Sequence, residues 1–445
     1  MELRDLIVTP ILLIVIYSVA YFIRPRVTDS ITRRYFFPAL TVRIVGALAL
    51  GFLYQFYYGG GDTFAYHTHG SRHLWEAFMD SPTQGVRYFF SGGEYGPGLW
   101  DISKKIWYWR DPNSFAVIRI AALFDLLTFS SYSGTAVLFA TISFIGAWLL
   151  FLTFYRIFPG SYKLTAVATL FVPSVIFWGS GILKDTVTLA AVSVATFSIF
   201  EIMIRGKWSL GKVLLLTTAL WVLYQIKIYI LLCLLPAVMI WWFTQKLALI
   251  KPPLLRIMVG PFIIGLSLIS GYAAVREVAK DNPKYNISRL AETARITAYD
   301  IRYGWGARDG EGSGYTLGEL DGTWASMVKL APQAINVSLF RPYLWEINNP
   351  LMLLAALEAL GCLMLTLYLI VKVKTKVLNF IKRPEILFCA VFSVAFAFAV
   401  GISTYNFGTL SRYKIPLMPF FLLMLVLIYH HWKSERNVSA FDETE

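Results

Sequence analysis

Asp62 stands after three glycines and ahead of two histidines, in Gly59-Gly60-Gly61-Asp62-Thr63-Phe64-Ala65-Tyr66-His67-Thr68-His69, directly behind an apolar run that ends at Tyr58. A carboxylate there sits where a membrane helix emerges, and glycines let the backbone turn sharply and come close to another group. That placement suits a general base acting on a lipid-linked substrate. The plainer reading is a helix cap, the usual job of an aspartate after glycines. The spacing of Asp62 to His67 and His69 would also suit a divalent metal, although two such histidines more often lie on a loop or helix face and bind nothing.

Cations recur at comparable places. The stretch 173–185 ends in Lys184-Asp185, Lys227 falls in a later turn, Arg412-Tyr413-Lys414 in the last one, and Arg341 stands among aromatics in Leu339-Phe340-Arg341-Pro342-Tyr343-Leu344-Trp345-Glu346. Charges this near hydrocarbon are costly and tend to be functional; for a single lysine the alternative is snorkelling to the surface. One carboxylate base with several cations at one membrane face is what transfer from a lipid phosphate requires. Arginine's two-pronged donor makes Arg341 and Arg412 better phosphate holders than Lys184 and Lys227. Asp185, Tyr66, His67, His69, Glu76 and Tyr413 complete the set as acceptor-binding or supporting groups.

The elements that must position these residues follow from composition. Of 445 residues 57% are hydrophobic and only 15% charged, where a soluble domain has roughly a quarter charged. The chain reads as all-α, a polytopic membrane helix bundle. Apolar stretches of spanning length fall near 6–23, 39–57, 134–157, 163–178, 186–204, 212–225, 228–244, 255–274, 349–371, 385–402 and 414–432. They predict about eleven crossings, those at 163–178, 212–225 and 228–244 being short enough to be tilted, broken or re-entrant. The first run lacks a cleavage site and is expected to be a retained span. Cys233, Cys362 and Cys389 all lie inside apolar runs, as small hydrophobes do, and imply no redox role.

Lys and Arg fix the expected orientation. With the N-terminus outside, the inward connections carry Arg24, Arg26, Arg33 and Arg34, then Arg156 and Lys163, Arg205 and Lys207, and the cluster from Lys372 to Arg383. The short outward connections hold only Arg4, Lys184, Lys227, Arg412 and Lys414. The net charge of +13 therefore belongs to a cytoplasmic rim touching anionic lipid, and no basic face interleaved with aromatics points to nucleic acid. The expected organisation is 1–58, two spans; 59–134, an outer loop with interfacial helices and Asp62; 135–275, central spans; 276–349, a second outer loop; 350–432, three spans; and 433–445, a cytoplasmic tail. The apolar stretch from Phe115 to Asp125, carrying charges at 119 and 125, is expected to lie in the interface.

Asp62 in the first outer loop behind a span, the 173–185 hairpin and the late Arg412-Tyr413-Lys414-Ile415-Pro416-Leu417-Met418-Pro419 together resemble the GT-C superfamily of multi-spanning glycosyltransferases, nearest to protein mannosyltransferases and bacterial lipid A aminoarabinose transferases. The resemblance lies in topology and short motifs over about the whole chain. It implies transfer of a sugar from a polyprenyl-phosphate donor to a glycan, lipid or protein acceptor at the outer face of a bacterial inner membrane, with Asp62 as base or acceptor holder, inversion at the anomeric carbon and no required cofactor. The family often has a second acid beside the first, or an acid followed by His; here Thr63 follows, and the next candidates are His67, His69 and Glu76. The span before Arg24 is a further departure.

Three rivals make different demands. An O-antigen polymerase or ligase would use Arg289, Arg295, Arg302 and Arg308 to hold a pyrophosphate-linked glycan. A transporter or flippase needs ionisable groups at mid-membrane or repeated halves with broken helices, and the sequence presents almost wholly apolar mid-span positions. A non-catalytic scaffold would use the polar loops for docking.

Overall fold

The computed structural model describes residues 2–280, 282, 284–305 and 313–442. Among them the regular structure is helical, with no named strand and a single isolated bridge between Gly314 and Asn406. Eight helices are long and apolar enough to cross a membrane, or nine if the bent pair Phe407–Tyr413 and Met418–Asn437, angled at 66°, makes one span. The chain is thus an all-helical protein of multi-pass membrane character. The expected eleven is not reached, for local reasons. The 163–178 stretch divides into α9 (Tyr162–Leu170) and α10 (Pro173–Trp178), because Pro173 removes a backbone donor and restrains the residue before it. The 212–225 and 228–244 stretches form the single α12 (Leu210–Ala248), which leaves helical geometry at Lys227, where φ is −146° and ψ 76°.

The residues gather into two compact units, the first of 1–157, 170–198 and 209–227, the second of 158–169, 199–208 and 228–445. In the first, α1 (Leu3–Val27) and α2 (Arg33–Phe56) pack on α8 (Tyr132–Ile157). Phe36 meets Phe144 and Trp148 edge-on, each at 5.1 Å between ring centroids. Close approach needs small residues, as is usual between membrane helices: a Cβ on Gly46 would come 2.5 Å from the carbonyl oxygen of Ile176. Between α2 and α8 run the short α3 (Asp62–Tyr66), the π-helical turn His67–Ser71, α4 (Arg72–Asp80), α5 (Pro82–Phe90), α6 (Trp100–Ser103) and α7 (Pro112–Thr128). The start of α1 lies at the same end of this unit: Asp5 accepts Ser131 Oγ at 2.7 Å, and Arg72 donates to Glu2 at 2.7 Å. The hairpin then enters α11 (Lys184–Ile199).

The helix α7 keeps Leu123 and Leu127 exposed but turns both its charges inward. Its Asp125 is fully buried and its Arg119 donates to the carbonyls of Phe89 and Ser91 at 2.7 and 2.6 Å. Both charges thus serve as internal ties.

In the second unit α13 (Pro253–Ala279) is followed by α14 (Leu290–Tyr299), α15 (Trp324–Phe340), α16 (Pro350–Val373), α17 (Val377–Phe380), α18 (Pro384–Thr404), α19 (Phe407–Tyr413) and α20 (Met418–Asp442). The helix α18 packs on α15 and α20. Aromatic rings fill its centre, with Trp241 stacked on Phe388 at 4.5 Å and Phe392 edge-on to Phe420 at 4.6 Å.

Candidate functional site

The glycines ahead of Asp62 are needed for their backbone. Gly59, Gly60 and Gly61 have φ of 67°, 144° and 127°, a region that L side chains rarely adopt. The Gly60 N–H donates to the carbonyl of Tyr54 at 2.8 Å, folding the chain back over the end of α2. Gly61 then abuts the Tyr54 ring, where a Cβ would come within 2.6 Å. Asp62 opens α3 half-buried, and Tyr108 Oη donates to its Oδ1 at 3.0 Å. Tyr66, buried one turn on, lies 5.3 Å from the Tyr108 ring. A half-buried carboxylate oriented by a phenol is suited to accepting a proton from a bound hydroxyl.

Behind α3 lies a polar cluster closed to solvent. His67 Nε2 is 3.4 Å from Asp125 Oδ1, near enough for attraction but not aligned as a hydrogen bond. Asp125 accepts Ser71 Oγ at 2.6 Å and Thr135 Oγ1 at 2.5 Å. Tyr132 lies edge-on to His67 and shares a 2.7 Å hydrogen bond with Thr63. The π turn makes this convergence: one extra residue per turn brings His67 and Ser71 onto the same carboxylate, and such turns recur at functional sites. His69 turns elsewhere and stacks on Trp107 at 4.1 Å with 3° between planes. Burial, with His73 and Arg72 nearby, lowers the His69 pKa. Glu76 pairs with His73 Nδ1 at 2.9 Å.

Lys184 and Asp185, adjacent in sequence, take separate partners. Lys184 Nζ donates to Asp111 Oδ2 at 3.1 Å, tying the start of α11 to the N-cap of α7. Asp185 is fully buried and accepts Lys227 Nζ at 2.5 Å. Lys227, expected as a phosphate holder, is itself buried and is joined to this carboxylate at the irregular point of α12.

Arg43 was not singled out from the sequence. It lies near the middle of α2, 1% exposed, and donates to the carbonyl of Val175 at 2.7 Å and to Ser143 Oγ at 3.2 Å. Its Nε and Nη2 have no hydrogen-bond partner among the described residues. The mid-span positions are therefore less uniformly apolar than expected. The signal was present as a lone arginine four residues inside the apolar run at 39–57.

In the second unit Arg341 donates from Nε to both Glu346 oxygens at 3.1 and 3.0 Å and also bonds through Nη2. Its guanidinium lies 5.3 to 5.8 Å from the ring centres of Phe407, Tyr315 and Tyr343. Burial would raise the Glu346 pKa, but bonds from Arg341 and the Tyr343 N–H, with the arginine's charge, hold it below 4.5. Arg412 is half-buried with its guanidinium 6.0 Å from the Tyr413 ring centre, and Lys414 is buried. Of the loop arginines, Arg295 pairs with Glu292 on an exposed helix face and Arg302 lies against Tyr303; Arg308 lies outside the described residues.

The first unit thus brings Asp62, Tyr66 and Tyr108 together, and separately Lys184 with Asp111 and Asp185 with Lys227. Among the described residues no group of three His, Cys, Asp or Glu side chains could hold a metal. Asp62, His67 and His69 turn to Tyr108, Asp125 and Trp107 instead. Compared with family models, curated proteins and solved structures, the chain matches none of them.

Proposed function

We propose that the chain is a GT-C-like glycosyltransferase of the bacterial inner membrane, its N-terminus outside and its C-terminus cytoplasmic, using a polyprenyl-phosphate sugar. The observation that carries this reading is Asp62, raised behind a glycine turn at the end of a membrane-length helix, half-buried, and oriented by Tyr108 at 3.0 Å. The acceptor hydroxyl or amine attacks the anomeric carbon and gives its proton to Asp62. The new bond forms as the bond from that carbon to the phosphate oxygen breaks on the opposite side, inverting the centre. The electron pair leaves with the lipid phosphate, already a good leaving group, and a cation such as Lys184 offsets its charge, the electrostatic contribution being usually the largest. An Asp62→Asn protein that folds is expected to lose transfer by about 100-fold or more; wild-type transfer by that protein would remove the proposed base.

A second reading, a transporter of a lipid-linked substrate, is favoured by one observation, the buried Asp185–Lys227 pair at the irregular point of α12. Interrupted helices carrying ionisable groups are the usual construction of transport sites. It predicts that substitutions at this pair abolish movement of a labelled lipid-linked sugar across proteoliposomes while Asp62→Asn leaves it intact.

A further inference from the structure

Trp107 is held as a platform with one open face. The ring of His69 covers its other face at 4.1 Å, nearly parallel, and the Trp107 backbone N–H donates to the carbonyl of His69 at 3.1 Å. Yet the residue remains 65% exposed. The next residue, Tyr108, is the one whose hydroxyl holds Asp62, so platform and carboxylate are coupled through a single peptide unit.

An indole clamped in this way is matched to the flat C–H face of a pyranose ring. Those hydrogens carry partial positive charge and the aromatic face partial negative charge, and a ring already fixed loses little freedom on binding. We infer that Trp107 is the stacking platform for a pyranose of the acceptor, which makes the acceptor a carbohydrate. This deepens the glycosyltransferase reading and rests on it. The alternative occupant is lipid, since tryptophan is common at headgroup level. Against burial in hydrocarbon, Lys104, Lys105 and Arg110 are exposed close by in sequence and residues 91–96 form no regular structure, an open backbone that hydrocarbon does not accommodate; the parallel His69 clamp, which a headgroup contact does not require, favours the sugar.

The test uses full-length protein labelled with 5-fluorotryptophan in nanodiscs, the Trp107 fluorine signal being assigned by its disappearance in Trp107→Phe. Maltotriose, chitotriose and mannotriose are titrated to millimolar concentration, and relaxation is compared with a soluble gadolinium chelate and with a doxyl-labelled lipid. The expected result is a saturable shift of the Trp107 signal with at least one trisaccharide, absent in His69→Ala, with broadening by the chelate and not by the lipid. Broadening by the lipid label, or no shift with any trisaccharide, overturns the proposal. Sugar binding that persists while transfer is absent in every assay would sink the enzyme reading and leave the platform; transfer without any Trp107 response would do the reverse.

Discussion

The Lys227 ammonium lies 2.5 Å from the Asp185 carboxylate at the point where α12 departs from helical geometry, and both side chains are closed to solvent. A buried pair of this kind is worth little against an apolar pair of the same size, but removal of either member leaves a charge without its counterpart. The pair therefore acts as a clamp on the break in α12, and its members should not be interpreted singly.

Lys227→Met and Asp185→Leu are each expected to destabilise the protein by about 3 to 5 kcal/mol, and the double variant by much less. Thermal unfolding in detergent of the two singles and the double closes the cycle. Equal and additive losses would show that the pair is not coupled. Sugar transfer by a folded double variant would also remove Lys227 from the phosphate-binding set.

Gly61→Ala tests whether the glycine turn positions the acid. Its φ of 127° is unfavourable to alanine and the added carbon would lie 2.6 Å from the Tyr54 ring, together costing about 1 to 3 kcal/mol. The expected signature is a folded protein with kcat reduced about tenfold or more, since misplacing a base weakens proton transfer. Gly59→Ala strains the backbone at φ 67° but meets no atom within 4 Å, so a smaller loss is expected there. Equal losses in both would mean that the Tyr54 contact is irrelevant.

The membrane class, the helical fold and the glycine turn ahead of Asp62 were legible in the sequence because each rests on local composition. Long apolar runs mark helices wherever they pack, and three successive glycines mark an unusual backbone. What the sequence concealed was pairing. Lys184 and Asp185 read as one charged step, yet adjacent residues at a helix start point in different directions and reach Asp111 and Lys227, more than forty residues away in each case. Asp125 read as a polar point on a surface helix, whereas Ser71, Thr135 and His67 converge on it from elsewhere in the unit. Periodicity reports which face of a helix is apolar; it carries no information on which hydroxyls will meet a buried carboxylate.

Asp111 supplies a pH test. Burial tends to raise its pKa, but the Lys184 charge, with bonds from Ser114, Lys184 and the Asn113 N–H, outweighs it and holds the group below the ordinary 3.8. A carboxyl depressed on folding contributes stability that is fully present above pH 3.8 and is lost as pH falls through the lower folded value. The difference in melting temperature between wild type and Asp111→Asn is thus expected to be constant from pH 7 to 5 and to shrink below about pH 4. A difference that stays unchanged at pH 3 would show that the Lys184 contact does not bias this carboxyl.

Arg43 permits the sharpest separation of structure from function. If its task were only to brace the Val175 carbonyl and Ser143, its loss would leave a backbone oxygen that still accepts the Gly179 N–H at 3.1 Å, and the hairpin would hold. A charge this deep, with two nitrogens unmatched among the described residues, is an expense to the fold, and ionisable groups kept at such depth generally serve function. Arg43→Met is expected to raise the melting temperature by a few degrees, the usual consequence of relieving a functional strain. The same variant should lower transfer about tenfold or more if the enclosed charge serves the reaction and not the fold. Arg43→Lys keeps the charge but loses the fork that reaches Val175 and Ser143 together, and should recover part of the activity. A variant both less stable and fully active would make Arg43 a strut and nothing else.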